Sequence, residues 1–353
     1  MTASPGTVAA VRPVRLRPPW VLAGVGAVLV AIVLGLTVGP AAIRPGPALE
    51  TLLSHVPLLG VHSSLSATQR AIVTQLRLPR VILGLLVGAM LAMAGAAYQG
   101  VFRNPLADPY LLGAAAGAGL AVTIVIVATA TGLGGNDPIV PLAAFLGALG
   151  AVALTYVLGR SAGGRSPATL LLGGVAIAAF LTAIQTYLQQ QHVATIREVY
   201  SWILGRLTTA GWSQVLLVLP YFVLTTVVLV AHRRVLDVLA VGEEEAGTLG
   251  VPVARTRTII VATASLATAA AVAVRGLIGF VGIIVPHAIR LVAGASYRVI
   301  LPLSILFGGA FLALADLAAR SVTAPAEIPI GVVTAFVGAP FFVVVLRTTM
   351  GRR

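Results

Sequence analysis

Few side chains in this 353-residue chain can do chemistry, since only 9% of them are charged. Arg77 and Arg80 stand three apart at the head of an apolar run and mark one membrane surface, while the polar hairpin Gln99 to Pro109 emerges at the run's far end. Glu243, Glu244 and Glu245 follow Gly242, where the positive end of a helix dipole favours acids. With Gly250 able to stop that helix in a left-handed conformation, Ala246 and Leu249 are expected on one face. The segment reads either as an ordinary solvated helix or as a small docking knob for a cytoplasmic partner. Thr182, Gln185, Thr186 and Gln189 recur at i, i+3, i+4 and i+7, which makes one polar stripe on an apolar helix. Such a stripe serves to bond neighbouring helices or to line a water-filled path. Asp316 is the acid a proton carrier would need, but Arg320 four residues on accounts for it as a local pair. Pro286, His287 and Arg290 crowd another apolar run and are expected to be structural.

The elements that position these residues are membrane spans. With 58% hydrophobic residues and a mean hydropathy of +1.03, the chain is too apolar for a soluble core of ordinary proportions. Ten windows approach the roughly 20 residues needed to cross the hydrocarbon: about 20–39, 81–98, 111–131, 138–158, 168–188, 213–231, 258–274, 277–293, 299–319 and 330–346. The fold class is an all-α integral membrane protein with about ten transmembrane helices. Residues 1–19 and 348–353 form tails around a single domain, 20–347, whose long inner segment carries the acidic knob at about 236–250. Arg12, Arg15 and Arg17 before the first span resemble a secretory signal, but the apolar run exceeds a signal core, so a retained span is expected. Residues 195–206 are expected as a short interfacial helix.

Several function classes are excluded. All 23 basic residues are arginines, spread between apolar runs instead of along a stripe, which argues against nucleic acid. Without lysine the chain cannot supply the phosphate-reaching group of a nucleotide-hydrolysing loop, so any ATPase is a separate polypeptide. Without cysteine, and with His55, His62, His192, His232 and His287 scattered, no metal site is expected. Placing both termini inside puts 15 arginines on inner segments and 8 on outer ones, so both ends are expected to be cytoplasmic. Arg77-Leu-Pro-Arg80 with its span faintly echoes Arg255-Thr-Arg257 with the seventh, as inverted repeats would.

Five ordered segments then carry a resemblance. They are Arg77-Leu-Pro-Arg80, Gln99-Gly-Val-Phe-Arg-Asn-Pro-Leu-Ala-Asp-Pro109, Gly242-Glu-Glu-Glu-Ala-Gly-Thr-Leu-Gly250, Gly276-Leu-Ile-Gly-Phe-Val-Gly-Ile-Ile-Val-Pro-His287, and the run from Pro325 to Pro340. Over about residues 70–347 the chain resembles the permease family of ABC importers for iron–siderophore, haem and vitamin B12. That resemblance implies a non-enzymatic homodimeric permease in a bacterial cytoplasmic membrane, working by alternating access with a separate ATP-binding cassette ATPase and an extracytoplasmic binding protein. ATP and magnesium would be bound by the ATPase, and no cofactor by this chain. It implies that Gly242, Glu243, Glu244, Glu245, Ala246, Leu249 and Gly250 couple to the ATPase. It also implies that Arg77, Arg80 and Arg320 dock the binding protein, and that the cargo is an iron chelate, with siderophore ahead of haem or a corrinoid. A proton-driven carrier using Asp316, or a channel lined by the Thr182 stripe, would leave the acidic knob without a purpose.

Overall fold

The computed structural model describes residues 16–39, 41, 43–54, 61–129, 139–161, 167–205 and 211–350. Among them are fifteen α-helices and no strand: α1 (Pro18–Thr37), α2 (Pro45–Leu53), α3 (Ala67–Ala71), α4 (Leu78–Val101), α5 (Ala114–Thr129), α6 (Ile139–Ser161), α7 (Pro167–Gln191), α8 (Ile196–Ile203), α9 (Trp212–Ala231), α10 (Arg233–Val241), α11 (Glu243–Thr248), α12 (Val253–Arg275), α13 (Val281–Ala293), α14 (Tyr297–Ser321) and α15 (Ile330–Met350). A π-helical stretch, Ile72–Arg77, joins α3 to α4. Seven helical segments are long and apolar enough to cross a membrane, and Ala114–Thr129, Val281–Ala293 and Ile330–Val345 are shorter apolar helices, so each expected window contains a helix. Arg12, Arg15, His55 and Arg206 lie outside the described residues.

Burial separates a pillar from a periphery. In the segment Ala67–Val101, 83% of the most apolar window is buried, against 22% for α1, α7 and α9. The pillar's main partner is the antiparallel α14, and small residues let the two backbones touch, as helices without a hydrophobic drive between them require. A Cβ on Gly88 would clash with the Gly308 carbonyl oxygen. Gly84 packs on Ala313 in the same seam. Because the helices run in opposite directions, the start of α4 and the end of α14 share one face of the molecule. Gly100 and Tyr297 meet at the other.

The short helices have a physical reason. At about 1.5 Å per residue, the 13 residues of α13 cover roughly 20 Å, less than the ~30 Å hydrocarbon. Non-helical residues 276–280 make up the rest, and such backbone is tolerated only where protein satisfies it. Tyr110 does so: its hydroxyl accepts from the Ile278 N–H and donates to the Ile278 carbonyl, both at 3.1 Å. Gln99 Nε2 donates to the Gly282 carbonyl at 3.2 Å. The hairpin after α4 thus returns into protein and clasps the segment after α12; only its tip, including Arg103, Pro105 and Leu106, is exposed.

Residues 196–203 form the amphipathic α8, which does more than lie on a surface. The Ile203 and Leu204 carbonyls accept from Leu277 N–H and Gly331 N–H, both at 3.2 Å, so α8 is tied to the segments leading into α13 and α15.

Candidate functional site

At the Tyr297 face, Gly242 interrupts the chain between α10 and α11 in extended geometry, with Glu243, Glu244 and Glu245 in the new helix's first turn. Gly250 has φ +79°, a left-handed value a glycine adopts without strain. The expectation that Ala246 and Leu249 share a face is corrected: Ala246 is fully buried while Leu249 is 71% exposed. The cause is local. The helix ends at Thr248, and Leu249 lies in the turn that the Val251 N–H closes onto the Ala246 carbonyl at 3.0 Å. Glu243 is ion-paired with Arg257 of α12, whereas Glu244 and Glu245 are exposed. The knob is therefore an exposed acidic and apolar tip on a buried base.

That base is held by a residue of α10. Asp237 of α10 accepts from the Tyr297 N–H at 2.5 Å and from Ser296 Oγ at 2.8 Å, with Arg298 Nε at 3.3 Å. One carboxylate thereby satisfies donors at the start of α14, where helix N–H groups lack partners and negative charge is favoured.

At the opposite face Arg80 donates to Asp316 through Nε and Nη2, and to Glu327 through Nη1 and Nη2 at 2.9 Å each. Arg320, expected as the partner of Asp316, comes only to 3.9 Å of it. The main partner is Arg80, four helix positions being a poorer match here than a bidentate fork arriving from the neighbouring helix. Arg77 donates to the carbonyls of Leu36, Thr37 and Ala41, at 2.6, 3.1 and 2.6 Å. Arg320 donates to the Gly35 carbonyl at 2.5 Å. Both cations sit at the carbonyl end of α1, where its dipole is negative. Arg77 is 5% and Arg320 8% exposed, so both are spent inside the subunit. Glu327, in the exposed stretch 321–327, is the cluster's most accessible member.

The Thr182 stripe is divided. Gln185 is buried and lies beside Gly119 of α5, where an added Cβ would meet its amide at 2.9 Å, while Thr182 and Thr186 are exposed and Gln189 half-buried. Thr186 Oγ1 donates to the Thr182 carbonyl at 2.9 Å. Asp108, in the hairpin outside the spans, accepts from the Tyr110 N–H at 2.7 Å. Burial nevertheless pushes its carboxyl up to about 6. His287 stacks edge-on against Phe341, and Arg290 donates to the Tyr297 hydroxyl at 3.2 Å, which are packing roles. No group of three metal-ligating side chains occurs among the described residues.

Residues 27–348 match the model of the FecCD transport family. The chain belongs to that family. FecCD-type relatives cover most of it. The cobalamin import system permease protein BtuC of Halobacterium salinarum is 45% identical over 303 residues, 86% of this chain and 79% of that protein. The hemin transport system permease protein HmuU of Yersinia pestis is 39% identical over 275 residues, 76% of this chain and 80% of that one. The Fe(3+) dicitrate permease FecD of Escherichia coli is 37% identical over 279 residues, 77% and 84% of the two chains. A solved ABC transporter, described as inward-facing and of metal-chelate type, superposes with TM-score 0.82 at 28% identity, covering 94% of this chain and all of that one. This FecCD member is thus a multi-pass permease subunit of an ABC importer, of a family whose relatives serve cobalamin, haem and iron citrate. Asp237, Glu327 and Tyr110 had no local sequence signal, since each acts through a partner far along the chain.

Proposed function

We propose that this permease carries a large metal chelate inward by alternating access, as a homodimer fed by an extracytoplasmic binding protein and driven by a separate ATPase seated on residues 242–250. The observation that supports it most is the knob itself. Leu249, Glu244 and Glu245 project from a base braced by Asp237 and by the Glu243–Arg257 pair, which is what a force-bearing contact needs. Replacing residues 242–250 by a flexible linker is expected to lose the co-purifying ATPase; retention of ATP-coupled uptake would reject the coupling role.

For docking, the exposed stretch 321–327 is the element at this face that a binding protein could reach, while Arg80 holds its base through Glu327 and Asp316. Arg77 and Arg320 then act behind it by holding α1. The exposed Thr182 and Thr186 on α7 support a translocation path along that helix, which a second copy would complete. Among cargoes, the 45% identity to the cobalamin permease, against 39% and 37% for the haem and iron-citrate relatives, favours a corrinoid over the siderophore first expected. The ligand retained by the partner binding protein after purification tests this.

A further inference from the structure

We propose that Asp237 is a positioning residue that makes α10 and α14 one lever, so that α14 transmits the state of the Arg80 face to the ATPase knob. The inference rests on reading residues 242–250 as the coupling segment and goes beyond it. Three observations carry it. First, Asp237 grips the first turn of α14 through Ser296 Oγ, the Tyr297 N–H and Arg298 Nε, and no residue of the knob itself does so. The grip is only five residues before Gly242, and α10 between them is helical, with Leu236 and Leu239 buried against the body. Movement of the start of α14 must therefore move the base of the knob.

Second, α14 is one helical segment, with Pro302 removing a single backbone hydrogen bond near its start. Its 25 residues reach about 37 Å at 1.5 Å each, enough to cross the membrane and join both faces. Third, its far end is not loose. Asp316 binds Arg80 there, and the glycine seam with α4 ties the two helices together along the way, so displacement at one end is not absorbed by slippage in the middle. Coupling between distant sites needs an element that both of them bias, and α14 is held at both of its ends. Asp237 is the only carboxylate among the described residues that joins α10 to α14.

The test uses the assembled importer: this chain, its ATPase and its binding protein in lipid. The readout is the ratio of binding-protein-stimulated to basal ATP hydrolysis, compared at equal ATPase content. Asp237→Asn should keep the ATPase bound but lower that ratio at least about five-fold, the low end of ordinary allosteric coupling. An unchanged ratio would overturn the inference, and so would loss of the ATPase, which would make Asp237 part of the seat itself. If Asp237→Asn does not fold, Ser296→Ala with Arg298→Ala removes two of the three partners and should lower the ratio in the same direction; no change there overturns it equally. Replacement of 242–250 serves as the control. If that variant keeps its ATPase, the coupling reading beneath fails; if it loses the ATPase while Asp237→Asn keeps full stimulation, only the lever fails.

Discussion

Arg80 and Asp316 lie 236 residues apart in sequence and share three hydrogen bonds, from Arg80 Nε at 3.1 and 2.9 Å and from Nη2 at 2.8 Å. The pair joins the first turn of α4 to the last two turns of α14, the two helices that form the subunit's pillar. With side chains 12% and 5% exposed, it is a buried bridge whose rupture leaves a charge without its partner.

Arg80→Ala and Asp316→Ala should each destabilise the folded subunit by about 3–5 kcal/mol, and the double variant by much less than their sum. Thermal unfolding of the three variants in detergent gives the cycle. Additive losses would show that the two side chains act independently.

Gly88→Ala should be costly, by roughly 1–3 kcal/mol or more, because its new methyl meets the Gly308 carbonyl and no rotamer avoids backbone. Gly26→Ala, where nothing lies within 4 Å, is the control and should be neutral or slightly stabilising. Midpoint temperatures of the two variants test the seam directly. Equal midpoints would mean that α4 and α14 do not touch at Gly88.

Asp108 gives a pH dependence of definite sign. Its folded carboxyl is raised from 3.8 to about 6, so the stability it contributes is complete below about 4 and is lost as pH rises through 6. Asp108→Asn keeps an acceptor for the Tyr110 N–H and carries no charge. It should raise the midpoint temperature at pH 7.5 and leave it nearly unchanged at pH 4, whereas the same gain at both pH values would remove ionisation as the cause.

Arg77→Met should loosen the carbonyl end of α1, since it deletes three hydrogen bonds from a cation to the backbone, each worth about 1.5–3 kcal/mol. Faster amide hydrogen exchange in residues 32–39, with exchange in α4 unchanged, is the expected signature. Uniform acceleration would indicate global destabilisation instead.

Hydropathy located all ten helical windows because membrane spans are written in composition. The break at Gly242 and the left-handed Gly250 were equally legible, as both follow from local backbone preference. What escaped were relations across the chain. Arg320 looked like the partner of Asp316 because i,i+4 spacing is visible in sequence, while the fork from Arg80 depends on how α4 packs on α14. Arg77 and Arg320 were expected as docking cations, yet their occupation with α1 carbonyls follows only from where α1 ends. Leu249 was misplaced for a smaller reason: the helix stops one residue before it, and a one-residue error at a short helix's end turns a side chain from the body to the outside.

Whether this FecCD-type permease is driven through the knob at residues 242–250 is decided by uptake into proteoliposomes. The measurement compares the wild-type subunit with one whose residues 242–250 are replaced by a flexible linker, each co-expressed with its ATPase and supplied with loaded binding protein. ATP-dependent uptake by the wild type and its loss in the linker variant are the results expected. Equal uptake by both, or uptake that follows a proton gradient without ATP and stops in Asp316→Asn, would show that the knob does not drive transport.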